Sequence, residues 1–408
     1  MILPANNKSI IQAPTNREGR KKLSKKVILD LIFRRGEISL TNISRTTKIR
    51  PGTVNVLVQE LTQEKLIRKK GEGRSKGGRK PTLIEIDPTT HFTVGLIAEE
   101  KRMSGGIVNL TGAILHRREL SNQDFSTERD YIAAIADMAK ELIGTLEDRE
   151  SVLGVGIGIP GLVDREQGVG VYCNYYDWWR TVPVKSLLEE KLEISCCVEN
   201  DTRAFTIGEK WFGLGQEIDN FLYVSLGDTI GMGIVIDGQV YRGTGGSAGE
   251  LGHTVIDRHG PLCKCGNVGC VEAMASGLYL QEAAEKLRLK GVYSAIYEKL
   301  SPEEPVSIAR IMDALALGDK VANKLIIDAG TSIGIAVSNM VNIFNPRLII
   351  LSGYLMDIES PLIETIRNSI RTHCLSKPAS EVEVLPSERG IDSGILGAST
   401  LITAELFR

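Results

Sequence analysis

Between Leu23 and Arg35 the apolar side chains fall at Val27, Ile28, Leu31 and Ile32, a helical repeat that stops at Gly36. Ser39 can cap a short second helix running through Ile43. After a turn at Lys48 to Arg50, Pro51 stands where a first helical residue tolerates a missing N–H. Val54, Leu57, Val58 and Leu61 follow at i, i+3, i+4 and i+7, which predicts a third helix. Leu66 and Ile67 then lead into a basic, glycine-rich run from Arg68 to Pro81, and the spacing of Leu83, Ile84 and Ile86 predicts a returning strand. Helices in this order followed by strand, basic loop and strand predict a winged helix-turn-helix over residues 1–88; a charged linker is the competing reading of 68–81.

The pattern changes after residue 88. Short apolar runs that end in glycine, at Phe92–Ile97, Leu153–Gly161, Phe221–Asp228 and Leu348–Gly353, alternate with helical stretches such as Tyr131–Leu146 and Val321–Ile343. Residues 89–408 therefore read as α/β. Strand-to-glycine turns favour phosphate or sugar ligands, but a lone one names none.

At 408 residues and 42% apolar composition, the chain has room for two to four ordinary cores, which argues against a disordered, collagenous or disulfide-stapled protein. The first twenty residues include Pro4, Lys8, Pro14, Arg17 and Arg20 without a long apolar stretch, and no later run is read as a membrane span. Seven cysteines, three crowded between 263 and 270, fit a reducing cytoplasm and a metal site. The expected location is cytoplasmic.

Charge sharpens the division. Residues 1–88 hold 20 Lys and Arg against 8 Asp and Glu, whereas the remainder holds 29 against 43. A basic head on an acidic body points to an anionic polymer, foremost double-stranded DNA, as the head's partner. Opposite its apolar stripe, the third helix offers Arg50, Gly52, Thr53, Asn55 and Gln59 to base edges and phosphates. In the wing, Gly77 and Gly78 clear space beside Arg79, whose guanidinium suits a narrow minor groove. Lys69, Lys70, Arg74, Lys76 and Lys80 suit phosphates.

The most specific chemistry lies at Gly245–His253 and Cys263–Glu272. His253, Cys263, Cys265 and Cys270 supply one imidazole and three thiols, a closed tetrahedral set suited to structural Zn2+; three buried thiols beside a core histidine are the alternative. Cys173, Cys196, Cys197 and Cys374 lack such spacing and read as packing residues. Glu250 and Glu272 flank the loop, and Val198–Ala204 adds Asn200 and Asp201. Together they are either a constellation for adjacent hydroxyls or ordinary caps and surface groups. Tyr175, Tyr176, Trp178 and Trp179, beside Asn174, offer either stacking faces for a sugar ring or lobe packing.

Taken together, these motifs resemble the ROK family of bacterial sugar-responsive repressors and sugar kinases, over nearly the whole chain. The E-x-G-H element matches Glu250–His253, the C-x-C-G-x-x-G-C-x-E element Cys263–Glu272, and the E-N-D element Glu199–Asp201. The resemblance implies an N-terminal winged helix-turn-helix followed by a two-lobed actin/hexokinase-like (ribonuclease H-like) fold, with lobes at about 89–200 and 201–390 and a C-terminal segment returning to the first. It further implies that Asn200, Asp201, Glu250, His253 and Glu272 contact sugar hydroxyls, His253 binding zinc through its other nitrogen, and that Asp201 matches the aspartate that serves as general base in the family's kinases.

The departures concern phosphate. Where ROK kinases carry D-x-G-G-T, this chain reads Gly95-Leu96-Ile97-Ala98-Glu99-Glu100-Lys101, and the second phosphate turn reads Gly227-Asp228-Thr229-Ile230-Gly231. Added carboxylates repel a triphosphate. The expected function is thus a non-enzymatic, sugar-responsive repressor of carbohydrate uptake or catabolism genes, a homodimer or homotetramer that a sugar effector releases from operator DNA. The rival is an ATP-dependent sugar kinase with Asp201 as base; a reversible zinc sensor is a third reading.

Overall fold

The computed structural model describes residues 17–73, 80–99, 102–121, 125–173, 175–356 and 361–407. The chain opens with α1 (Arg17–Arg35), β1 (Glu37–Ser39), α2 (Leu40–Thr47), α3 (Pro51–Gln63), β2 (Ile67–Glu72) and β3 (Thr82–Ile86). Ser39 caps α2 by accepting the Asn42 N–H. The second helix runs past Ile43 to Thr47, whose hydroxyl bonds the Ile43 carbonyl, and Lys48 ends it in the left-handed region. Pro51 heads α3, and Val54, Leu57, Val58 and Leu61 are buried as their spacing requires. Sequence reading missed β1, which lies on the far side of β3 from β2 in an antiparallel sheet of order β1-β3-β2.

The body begins with β4 (Phe92–Ala98), β5 (Arg102–Asn109), β6 (Ile114–Ser121), α4 (Glu128–Ile143) and β7 (Val152–Ile159). There follow the short strands β8 (Leu162–Asp164), β9 (Val169–Tyr172) and β10 (Arg180–Val182), then α5 (Val184–Leu192), β11 (Cys196–Asn200) and α6 (Asp201–Phe212). The second half contains β12 (Phe221–Leu226), β13 (Ile230–Ile236), β14 (Gln239–Tyr241), α7 (Glu272–Ala275), α8 (Gly277–Leu289), α9 (Ile308–Ala316) and α10 (Lys320–Phe344). It closes with β15 (Leu348–Ser352), α11 (Pro361–His373), α12 (Ser376–Glu381), β16 (Glu383–Pro386) and α13 (Ile391–Phe407).

Two five-stranded sheets, ordered β11-β7-β4-β5-β6 and β14-β13-β12-β15-β16, share one topology. In each, three strands form an antiparallel meander, and two later strands join in parallel beside the first. Each parallel pair needs a crossover, which is why helices alternate with strands here. Between the sheets lie α6 and α13, and α13 packs on β4 and β7. The approach is close: a Cβ on Gly156 of β7 would lie 1.8 Å from the Ala398 carbonyl, and one on Gly95 of β4 would lie 2.0 Å from that of Ile395. These two glycines in the apolar runs therefore serve helix packing, not a ligand.

One sequence expectation is corrected: α10 is long and apolar enough to cross a membrane. Half of its most apolar window is buried, and Leu325, Ile326, Ile333 and Val337 belong to the core under the second sheet. The aromatic run resolves toward packing. Trp179 is wholly buried and Tyr176 nearly so; Trp178 stacks on both and donates to the Phe125 carbonyl, and all belong to the first core. Asn174 lies outside the described residues.

Candidate functional site

The sugar motif sits where β11 of the first sheet gives way to α6. Asn200 caps that helix, accepting the Arg203 N–H at 3.1 Å, while its amide donates to the Gly161 carbonyl and to Asp201. Its preceding neighbour, Glu199, is 1% exposed and takes charge-assisted bonds of 2.9 Å from both Arg203 and Arg242. Burial works against the charged carboxyl, but Arg242 and Arg203 outweigh it and hold Glu199 below the ordinary carboxylate range. A buried carboxylate so anchored fixes the backbone from which Asn200 and Asp201 project. Sequence reading placed Glu199 in a motif but missed Arg203 and Arg242; the i,i+4 spacing of Glu199 and Arg203 was the available signal.

Asp201 accepts the Thr202 N–H at 2.6 Å, yet burial pushes its carboxyl up to about 6, with Glu250 adding a smaller push. Desolvation also raises Glu250, opposed by His253 and Arg203 and reinforced by Glu272. Glu272, the first residue of α7, accepts the Ile230 N–H. Gly252 lets these groups close up, because a Cβ there would meet the Ile230 carbonyl at 2.4 Å. Asn200, Asp201, Glu250, His253 and Glu272 are thus brought near one another from the end of β11, the start of α6, the turn Leu251–His253 with Glu250 just before it, and α7.

The four metal-type ligands also converge. His253 Nδ1 and the sulfurs of Cys263, Cys265 and Cys270 all lie within 4.8 Å of one another. Cys263 Sγ is 3.7 Å from His253 Nδ1, and Cys265 Sγ is 3.7 Å from Cys270 Sγ. A tetrahedral ion about 2.3 Å from its sulfurs separates them by about 3.8 Å, so this cluster can hold a metal ion. Because Nδ1 faces the thiols, Nε2 remains for a second partner. Gly269, at φ 75°, makes the reversal possible; a Cβ there would strike the Asp257 carbonyl at 1.6 Å.

Three further side chains lie at the ends of β4 and β12 and before α11. Glu99 follows β4, where burial pushes its carboxyl up to about 7, helped by the charge of Asp201 and, to a lesser degree, Asp228. Asp228 lies in the turn between β12 and β13 and accepts a 2.5 Å hydrogen bond from the Tyr354 hydroxyl. Tyr354, which sequence reading missed, is wedged between this turn and the start of α8, its hydroxyl 1.8 Å from where a Cβ of Gly277 would lie. Glu100 and Lys101 are outside the described residues.

In the N-terminal unit, Arg50, Gly52, Thr53, Asn55 and Gln59 are exposed along one side of α3. Lys69 is exposed on β2, but Lys70 is engaged by Glu37 and Glu85, at 3.0 and 3.2 Å, a contact the sequence did not suggest. Lys80 lies 3.7 Å from Glu72. Arg74, Lys76 and Arg79, with Gly77 and Gly78, lie outside the described residues. The unit is packed on the body through Phe33 of α1, whose ring centre is 5.5 Å from that of Trp211, 5.9 Å from Phe212 and 5.2 Å from Phe407.

Comparison with known proteins bears on this arrangement. A xylose repressor of Bacillus subtilis is 30% identical over 94% of this chain and 95% of its own length. A glucokinase of Thermotoga maritima is 31% identical over 78% of this chain and 96% of its own. The crystal structure of a ROK family transcriptional regulator, homologous to the MLC protein of E. coli, superposes with a TM-score of 0.82 at 27% identity, covering 95% of this chain and 97% of that one. The first relative and this structure extend through the N-terminal unit; the kinase matches the sugar-kinase-like body. With the family's own sequence profile matching residues 98–405, this chain belongs to the ROK family.

Proposed function

We propose that this protein is a sugar-responsive, DNA-binding repressor of carbohydrate uptake or catabolism genes. The observation that carries this reading is one polypeptide pairing an exposed polar face on α3 with a cluster of Asn200, Asp201, Glu250, His253 and Glu272, and the acids Glu99 and Asp228 beside it favour a sugar over a triphosphate. Residues 1–88 act as a winged-helix head and 89–408 as the sugar-binding body. Two heads in a homodimer, or in a homotetramer built as a dimer of dimers, read successive major grooves with Arg50, Gly52, Thr53, Asn55 and Gln59. Arg74, Lys76, Arg79 and Lys80 follow the flanking backbone and minor groove. Such chemistry belongs to the cytoplasm, where DNA and reduced thiols coexist.

On the effector side, Asp201 and Glu250 accept from sugar hydroxyls, Asn200 orients Asp201, and His253 Nε2 and Glu272 complete the ring of contacts. Zn2+, held by His253 Nδ1, Cys263, Cys265 and Cys270, supplies rigidity to the loop and no open coordination position. Removing it should unfold the loop: strong chelation is expected to lower the melting temperature and abolish sugar binding together, with about one zinc per chain measured beforehand.

The deciding experiment is DNA binding by the full chain to regions upstream of sugar-uptake genes, titrated against a panel of sugars. One sugar should release the DNA, and Asp201→Asn should remove that response without weakening sugar-free binding. Absence of any sugar effect would overturn the reading. The kinase alternative draws on one observation, the Asp201 carboxyl raised to about 6, as a general base requires. ATP turnover with a sugar, lost in Asp201→Asn, would put it first.

A further inference from the structure

The cluster around Asp201 is assembled from separate parts of the body. Asn200 and Asp201 come at the end of β11, an edge strand of the first sheet, whereas Glu250 and His253 follow β14, an edge strand of the second. Between β14 and Glu250 runs Arg242-Gly243-Thr244-Gly245-Gly246-Ser247-Ala248-Gly249, with Gly243, Gly246 and Gly249 at φ 70°, 72° and 98°. Half of this segment is glycine, so ordering it costs much conformational entropy, and its placement depends on contacts that hold it.

One buried carboxylate supplies such a hold. Glu199, directly before Asn200, accepts the Arg203 Nε–H on Oε1 and the Arg242 Nε–H on Oε2, each at 2.9 Å. Each oxygen thus serves one guanidinium, at a position where water screens the pair little. Arg203 also donates from Nη1 to the Ala248 carbonyl at 3.4 Å, and the Ala248 N–H donates to the Arg242 carbonyl at 3.1 Å. The glycine-rich segment is therefore tied to Glu199 directly at Arg242 and, through Arg203, at Ala248. Arg165 stands 3.8 Å from Glu199, but its side chain is 46% exposed and the pair adds little.

We propose that Arg242 is a positioning residue for the sugar effector, holding Glu250 and His253 in register with Asn200 and Asp201 through Glu199, a role that rests on reading this cluster as the sugar site. Register matters because a hydrogen bond weakens steeply outside its range of distance and angle, and a sugar ring presents its hydroxyls at fixed spacing. A sugar bonded to both parts spans the same gap as the Arg242–Glu199 pair. Ligand and ion pair favour one relative placement of the two edge strands, so each supports the other. Removing the Arg242 guanidinium leaves a buried carboxylate with one partner fewer and loosens both parts together.

The test is calorimetric titration of the full chain with glucose, xylose and N-acetylglucosamine, paired with amide hydrogen exchange without sugar. Arg242→Gln should still melt cooperatively and keep wild-type exchange in α10, while the amides of residues 243–253 exchange about tenfold faster or more. The sugar that binds wild type should bind this variant at least about fivefold more weakly. Arg242→Lys, which keeps the charge, should recover most of that affinity, and Arg165→Gln should stay within about twofold of wild type. In the double variant Glu199→Gln/Arg242→Gln the loss should be smaller than the product of the two single losses, because both act through one contact. Unchanged sugar affinity in Arg242→Gln would overturn the positioning role and leave the sugar reading standing. Faster exchange spread evenly over the body would overturn it too, as would unchanged exchange at 243–253. Binding of none of the three sugars by wild type would remove the sugar reading and this role with it.

Discussion

Glu99 follows β4, and its surroundings make it a proton-linked residue. Burial comes first, the charge of Asp201 adds to it, Arg102 opposes and Asp228 adds again, so the folded carboxyl titrates at about 7 against 4.5 ordinarily. A raised folded value means that the native state holds the proton more tightly than the unfolded chain. Its contribution to stability is complete below about pH 4.5 and is lost as pH rises through 7. Asp201, at about 6, adds to the same decline. Glu99→Gln should therefore melt close to wild type at pH 5 and higher at pH 8, by about 1 to 3 kcal/mol of stability, measured by scanning calorimetry. Equal melting at pH 8 would show that the carboxylate is well solvated. Residue types were legible here, since Glu199, Asn200, Asp201 and the zinc-type ligands stand out by spacing. Their partners were not: Arg242 reaches Glu199 from 43 residues away, and Tyr354 reaches Asp228 across 126.

Among elements, those with local causes were readable. Ser39 and Pro51 mark helix starts through their own chemistry, and the stripe on α3 needs only its period. By contrast β1, three residues without a pattern, is a strand only because β3, nearly fifty residues later, supplies its hydrogen bonds. Two of the apolar, glycine-punctuated strands pose the same problem in reverse, because Gly95 and Gly156 are explained by α13, more than two hundred residues on. Gly156→Ala should force α13 off the sheet and cost about 1 to 3 kcal/mol or more, seen as a drop of several degrees in melting temperature. Gly245→Ala, with nothing within 4 Å of the added carbon, should leave it unchanged.

Across the whole molecule, α6 and α13 join the proposed sugar site to the head. The first begins at Asp201 and ends at Trp211 and Phe212; the second ends at Phe407, and all three rings meet Phe33. A shift of the sheets on effector binding would be carried along these helices into α1, since packed helices move as rigid bodies. Phe33→Ala should accordingly leave sugar affinity within about twofold and reduce the sugar-induced change in DNA affinity at least fivefold, measured by fluorescence anisotropy. A full response in that variant would mean that coupling runs elsewhere.

The helices of the head, the α/β alternation of the body, the charged head and the cluster of one histidine and three cysteines were determined by the sequence itself. Each rests on periodicity, end chemistry or side-chain type within a short window. The repeated topology of the two sheets, the tight seat of α13, the wedge of Tyr354 and the bridge between Arg242 and Glu199 were decided only by the tertiary structure. Each arises from groups far apart in the chain, whose meeting depends on how whole sheets and helices bury their apolar faces against one another.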